Sequence, residues 1–521
     1  MKKLRKLWLV SVVLLTFLLT ACGASNSDNT NTGFVQNSAP AMSSAAPAGT
    51  SVQSDFNSEE YKSVAENNYY NPVDSPLSTF SIDVDTASYS NVRRFLSDGQ
   101  LPPTDAVRIE ELVNYFTYDY PQPTGNAPFS ITTEVSKCPW NNEHYVALVG
   151  IQGKTMDLNK APSSNLVFLL DVSGSMDEPN KLPLIKKSMD MLVDQLRDND
   201  RISIVIYSGS AEIVLDSVPG DKKAKIRKVI DSLQAGGSTA GGEGIQLAYN
   251  LAQKNFIKEG NNRVILCTDG DFNVGISSDE ELSKLIESRR DQGIYLSVMG
   301  FGTGNYKDSK METLADKGNG NYAYIDTLLE ANKVMANQIS GTLFTIAKDV
   351  KVQIEFNPTK VKEYRLIGYE NRILNKEDFK DDSKDAGELG AGHTVTALYE
   401  IVPTTAGALP QGSDQLKYQK VDPKESSEWM NVNLRYKLPD SDVSQTMTKA
   451  VTAYEFSEKP SSNLGFSCAV AEFGLLLKSS EYKGNSSYKQ VEDLARLYRG
   501  SDKDGYRGEF IQLVDMASNL K

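Results

Sequence analysis

The chain has 521 residues, 40% of them apolar and 24% charged, so it is an ordinary globular sequence too long for one hydrophobic core. A net charge of −13 argues against nucleic acid and an anionic membrane surface as partners. The histidines are only His144 and His393, far apart in the sequence, so no Cys/His metal cluster is offered.

Lys2, Lys3, Arg5 and Lys6 precede an apolar run from Leu7 to Leu19, too short to span a bilayer but of signal-peptide length. The run closes on Leu19-Thr20-Ala21-Cys22, which resembles a bacterial lipobox. That resemblance implies a signal peptide over residues 1–21, cleavage before Cys22, and lipid of the palmitate class on its sulfur. Two or more acyl chains hold a protein stably at a membrane where one does not. The mature chain is therefore expected outside the cytoplasm, lipid-anchored to the cell membrane of a bacterial envelope. Residues 22–68 read as a flexible tether, rich in Ser, Ala, Asn, Thr, Gly and Pro up to about residue 58. Its reach is roughly 35 Å. Of the other cysteines, Cys267 lies in a buried-strand pattern, and pairing of Cys138 with Cys468 is left open.

Residues 69–160 form an N-terminal companion region. Phe80, Ile82 and Val84 alternate as in a strand, and Tyr89, Val92, Phe95 and Leu96 share a helix face. A second helix is expected after Pro102-Pro103, capped by Thr104 or Asp105, with Val107, Ile109, Leu112, Val113 and Phe116 inward. Asp83 and Asp85 fail an aspartyl phosphatase pattern at Ala87 and read as turn and capping residues. Two strands, Phe129 to Val135 and His144 to Ile151, follow without a helix between them, which predicts an antiparallel sheet. Residues 347–521 return to strand patterns in 350–356, 393–402 and 430–436, then to helical spacing from Phe466. One β-sandwich drawing on both flanks, with the central domain inserted between its strands, is the expected arrangement.

The central domain, 161–346, alternates strands and helices and predicts a doubly wound, Rossmann-like α/β sheet. Leu166 to Leu170 is apolar throughout, as in a strand buried on both faces. It opens into Asp171-Val-Ser173-Gly-Ser175, three oxygen-bearing side chains that suit a hard cation such as Mg²⁺. Leu182, Ile185, Met189, Leu192 and Leu196 then fall on one helix face. Two further oxygens come later, Thr239 among glycines and Asp269 at the end of the strand 264–268. Ser278 and Glu281 read as a capping box, 295–301 as another strand, and 327–345 as a closing helix.

Asp-x-Ser-x-Ser, a Gly-flanked Thr and a strand-ending Asp-Gly resemble the metal-ion-dependent adhesion site (MIDAS) of von Willebrand factor type A (VWA) domains. The resemblance spans about residues 163–345, and the wider layout is similar to bacterial envelope lipoproteins with companion regions on both sides of such a domain. It implies that Asp171, Ser173, Ser175, Thr239 and Asp269 hold Mg²⁺, or Mn²⁺ or Ca²⁺, and that an acidic residue of a protein partner completes the coordination. Metal-dependent adhesion by a surface lipoprotein is the expected function. The alternatives are an envelope assembly or scaffold subunit and a Mg²⁺-dependent hydrolase. The hydrolase is disfavoured because the metal loops offer no His, Lys or Arg, and no catalytic residues are assigned.

Overall fold

The computed structural model describes residues 59–238, 241–270, 279–304, 306–384, 386–405, 412, 424 and 426–521. The lipobox with Cys22, Thr239 and Ser278 lie outside the described residues. Before the central domain come Leu77–Ser81 (β1), Ala87–Ser97 (α1), Ile109–Asn114 (α2), Phe129–Cys138 (β2) and Asn141–Gly153 (β3). The central domain runs through Ser164–Asp171 (β4), Leu182–Gln195 (α3), Arg201–Tyr207 (β5), Ala211–Pro219 (β6), Lys223–Ser232 (α4) and Gly241–Lys254 (α5). It continues with Asn261–Thr268 (β7), Asp279–Arg290 (α6), Ile294–Gly300 (β8), Asp308–Lys317 (α7), Tyr322–Tyr324 (β9), Leu328–Asn332 (α8) and Ile339–Leu343 (α9). After it come Thr345–Phe356 (β10), Val361–Ile367 (β11), Ile373–Leu374 (β12), Leu389–Gly390 (β13), Thr394–Pro403 (β14), Glu428–Lys437 (β15) and Ser444–Thr452 (β16). The helices Ser462–Leu477 (α10), Tyr488–Leu497 (α11) and Tyr506–Asn519 (α12) close the chain.

The central sheet has the order β6-β5-β4-β7-β8-β9, parallel except for the edge strand β6. This is the doubly wound arrangement, and its apolar strands follow from burial on both faces. Ile185, Met189 and Leu192 of α3 join Leu166, Phe168 and Leu170 in one core, and Ile245, Ala248 and Leu251 of α5 join Val167 and Leu169 in the other. The flanks share a sandwich of two sheets, β12-β1-β10-β15-β16 (with β13 on β10) and β11-β14-β3-β2. Its core sets Phe80, Val149 and Ile151 from before the central domain against Val352, Ile354, Tyr399 and Val432 from after it. The helices α10, α11 and α12 pack on α2 in a third core around Phe116, Phe466, Phe473 and Phe510. Ser461 and Ser487 start α10 and α11 by accepting the N–H groups of Leu464 and Gln490.

Several local expectations are corrected. The second helix begins at Ile109, after a 3₁₀ turn over Thr104–Ala106, and neither Thr104 nor Asp105 caps it. Ser88 causes the break: its hydroxyl donates to the Ala106 carbonyl and accepts the Arg108 N–H. Asp83 and Asp85 are ion-pair partners of Arg372, at 3.1 and 3.4 Å, rather than caps. Asp85 also accepts the Tyr322 N–H at 3.0 Å, which covers the otherwise open edge of β9. The closing helix is interrupted by a π turn, Lys333–Asn337. Cys138, Cys267 and Cys468 are buried free thiols, so the 138–468 pairing is not made.

One buried group sets a pH dependence. Glu472 of α10 is fully buried, and neither carboxyl oxygen has a hydrogen-bond partner in good geometry. Burial pushes its carboxyl from the ordinary 4.5 up to about 7, against a weaker pull from Ser486 and the Ser487 backbone. The neutral carboxyl's contribution is therefore complete below pH 4.5 and lost as the pH rises through about 7. Glu472→Gln is expected to remove that loss, gaining about 3 kcal/mol over the parent at pH 8 and little near pH 4.5. Urea titrations of both proteins at the two pH values check it.

Candidate metal centre

In this strand order β4 and β7 are neighbours whose onward connections run to opposite sides of the sheet, which opens a crevice beyond their C-terminal ends. Leu170 pairs with Cys267, so Asp171 and Asp269 emerge at nearly the same level. Asp171 is fully buried. Its Oδ1 accepts the Ser173 N–H at 2.8 Å, while its buried Oδ2 has no hydrogen-bond partner in good geometry. Burial pushes this carboxyl up to about 6, with the help of nearby Asp269 and against the pull of the Ser173 N–H and hydroxyl and of the Tyr207 hydroxyl.

An orphaned buried carboxylate oxygen is costly unless something binds it. Beside it, Ser173 Oγ and Ser175 Oγ stand 3.1 Å apart. Adjacent oxygens of an octahedron with bonds near 2.1 Å are separated by about 3 Å. Ser173 is buried and Ser175 is exposed, so the group opens to solvent on one side. The donor set and its spacing fit a small divalent cation. Among the described residues no cluster of three or more His, Cys, Asp or Glu side chains forms. Hydroxyls carry this site instead.

The loop leading to Thr239 is tied to the Asp171 turn by two backbone bonds. Gly236 N–H donates to the Val172 carbonyl at 2.8 Å, and Gly174 N–H donates to the Gly237 carbonyl at 2.9 Å. Met176 is wholly buried and anchors the turn from below. The structure thus brings together Asp171, Ser173, Ser175 and Asp269, while Thr239 itself lies outside the described residues.

The metal loops themselves carry no His, Lys or Arg, but a cation reaches them from the next element. Lys181, at the start of α3, donates from Nζ to Asp269 Oδ2 at 2.9 Å, with both side chains buried. Its stem crosses Gly302, where a Cβ would lie 2.5 Å from Lys181 Cε. Pro183 in the first turn of α3 marks where the helix starts, with Lys181 in the capping position before it.

Gly237 has φ +84°, and a Cβ there would meet Ser208 Oγ at 3.2 Å. Gly237→Val is expected to pull the loop at 236–237 off the Asp171 turn, weakening Mn²⁺ affinity about tenfold while the melting temperature in EDTA changes little. Calorimetric titration and circular dichroism check both halves.

Comparison with known proteins follows this geometry. Residues 165–338 match the von Willebrand factor type A domain family, and 55–148 match a family described as von Willebrand factor. Residues 341–520 match the family described as uncharacterized protein YfbK, C-terminal. Uncharacterized protein YfbK of Escherichia coli (strain K12) is 43% identical over 493 residues, covering 91% of this chain and 82% of that one. Inter-alpha-trypsin inhibitor heavy chain H3 of Homo sapiens is 25% identical over 209 residues, 37% of this chain and 23% of its own. A solved structure of von Willebrand factor type A from Catenulispora acidiphila is 15% identical, covering 73% of this chain and 89% of that one at a TM-score of 0.41. With its VWA domain framed by the same companion regions over most of both lengths, the chain belongs to the YfbK family of VWA-domain proteins.

Proposed function

We propose that this chain is an envelope lipoprotein that binds an acidic group on a protein partner through a divalent cation. Asp171, Ser173, Ser175, Thr239 and Asp269 would hold Mg²⁺ or Mn²⁺, and the ion would supply a Lewis-acidic position for the partner's carboxylate. The observation that carries this reading is the buried Oδ2 of Asp171, without a hydrogen bond in good geometry, beside the paired hydroxyls of Ser173 and Ser175. VWA domains are protein-interaction modules, which fits the family found above. The lipobox ending at Cys22 supports attachment at the outer side of a bacterial membrane.

The hydrolase reading gains a cation in Lys181, but that ammonium is engaged by Asp269 and buried beside it. Phosphoryl transfer needs a charge-stabilising group free to meet the substrate and a positioned base. Binding is the better use of this geometry.

Mg²⁺ or Mn²⁺ at 100 times its Kd stabilises a one-site protein by about 2.7 kcal/mol. For a body this large the expected rise in Tm is about 3–5 °C, absent in Asp171→Ala. A thermal melt with and without metal decides it: no rise, or an equal rise in the variant, refutes the metal site. Separately, Cys22→Ser is expected to abolish incorporation of labelled palmitate in cells and to release the chain from the membrane fraction. Undiminished labelling would rule out the anchor.

A further inference from the structure

The ion pair between Lys181 and Asp269 changes the charge balance of the site. Asp171 and Asp269 alone would neutralise a divalent ion, leaving little electrostatic reason for an anion to approach. Among the described residues Lys181 is the cation that touches this set, at 2.9 Å from Asp269 Oδ2. Asp177 and Glu178, on the neighbouring 3₁₀ turn and just past it, are solvent-exposed and screened.

Local structure fixes the ammonium there. Lys181 N–H donates to the Glu178 carbonyl at 3.0 Å, and its own carbonyl accepts the Ile185 N–H at 2.9 Å. The residue is thus the first half-turn of α3, whose N-terminal dipole has the same sign as the ammonium. Gly302, at φ +75°, leaves room for the stem, and the Tyr324 hydroxyl holds that glycine by donating to its carbonyl at 2.7 Å. The side chain is 8% exposed, so the charge is built into the crevice wall rather than waving in solvent.

We infer that Lys181 is a built-in counter-charge that leaves the metal-loaded site one unit more positive than it would be without it and so makes it selective for a carboxylate visitor. This deepens the metal-binding reading and rests on it. Lys181 weakens the resting hold on the cation, since it competes for Asp269, and strengthens the hold of the loaded site on an acid. A unit charge a few ångströms away in a partly buried site alters either equilibrium by about ten- to a hundredfold.

The test uses the full-length protein in detergent, with Mn²⁺ affinity read by electron paramagnetic resonance. Acetate, the smallest carboxylate probe, is then titrated onto the Mn²⁺-loaded protein and read by loss of water-proton relaxation. Lys181→Met is expected to bind Mn²⁺ about ten- to a hundredfold more tightly than the parent and acetate about tenfold more weakly. Lys181→Arg, which keeps the charge, should retain the parent values. Lys181→Gln, which can still donate to Asp269, is measured alongside in case the apolar variant does not fold, and it must move in the same direction as Lys181→Met. Equal Mn²⁺ and acetate affinities in the parent and the neutral variants would overturn the inference and leave the metal site standing. Failure of the parent to bind millimolar Mn²⁺ would instead remove the metal reading itself.

Discussion

Three arginines, two buried and one mostly so, fix the central domain against its flanks. Arg93 of α1 holds Asp326 and Glu330 of the central domain and, at 3.0 Å, Glu509 of α12. Arg108 reaches Asp308 at 2.8 Å and Glu312 at 3.2 Å, both on α7. Arg372, beyond β11, gathers Asp83, Asp85, Glu312 and Asp316 within 3.4 Å. The inserted domain is joined to the sandwich covalently only where the chain enters near Ser164 and leaves near Thr345, and two such links alone would act as a hinge. Buried ion pairs of this kind return little net stability, because desolvation offsets their attraction. Breaking one is nonetheless severe, since it strands a charge in low dielectric. Their effect is on orientation: only one placement of the domain satisfies every carboxylate at once.

The same low dielectric shapes the crevice at the C-terminal end of β4. A strand buried on both faces must end somewhere polar, and here it ends on a carboxyl that is itself buried. Burial holds Asp171 partway toward its neutral form, against the donors on Ser173 and Tyr207. Hydroxyls complete the set at lower electrostatic cost than more carboxylates would, since each additional buried charge would repel the first. The backbone bonds from Gly174 and Gly236 keep the two loops in register, so the geometry is set by main chain rather than by flexible side chains.

Much of the fold was legible because burial imposes periodicity. The run Leu166 to Leu170 announced a strand covered on both sides, and it became the centre of the sheet. The helix faces of α3 and α12 were equally clear from their spacing, whereas α10 is buried all round from Leu464 to Leu477. Elements governed by tertiary contacts were not. The start of α2 is displaced by the hydroxyl of Ser88, some twenty residues earlier in the chain, and no local pattern reports that. The closing helix reads as continuous from 327 to 345, but its π turn places Lys333 over the Tyr115 ring at 3.0 Å, a contact with another region. Asp83 and Asp85 looked like turn residues because their partner, Arg372, lies on the far side of the inserted domain in sequence.

The site divides along the same line. Oxygens borne on short side chains stay where the backbone puts them, so Asp171, Ser173, Ser175 and Asp269 could be read from motif and strand end. A lysine is different: four methylenes let its charge arrive from a turn outside any motif. Lys181 sits in a stretch whose apolar spacing advertises a helix and nothing more, and its reach to Asp269 depends on a glycine in a third loop, Gly302, having no side chain. Positions of the candidate oxygens are thus a local property of this sequence, while the net charge around them is a property of the packed crevice. Since charge, more than position, decides what a loaded cation will accept, the structure adds most where the motif is silent.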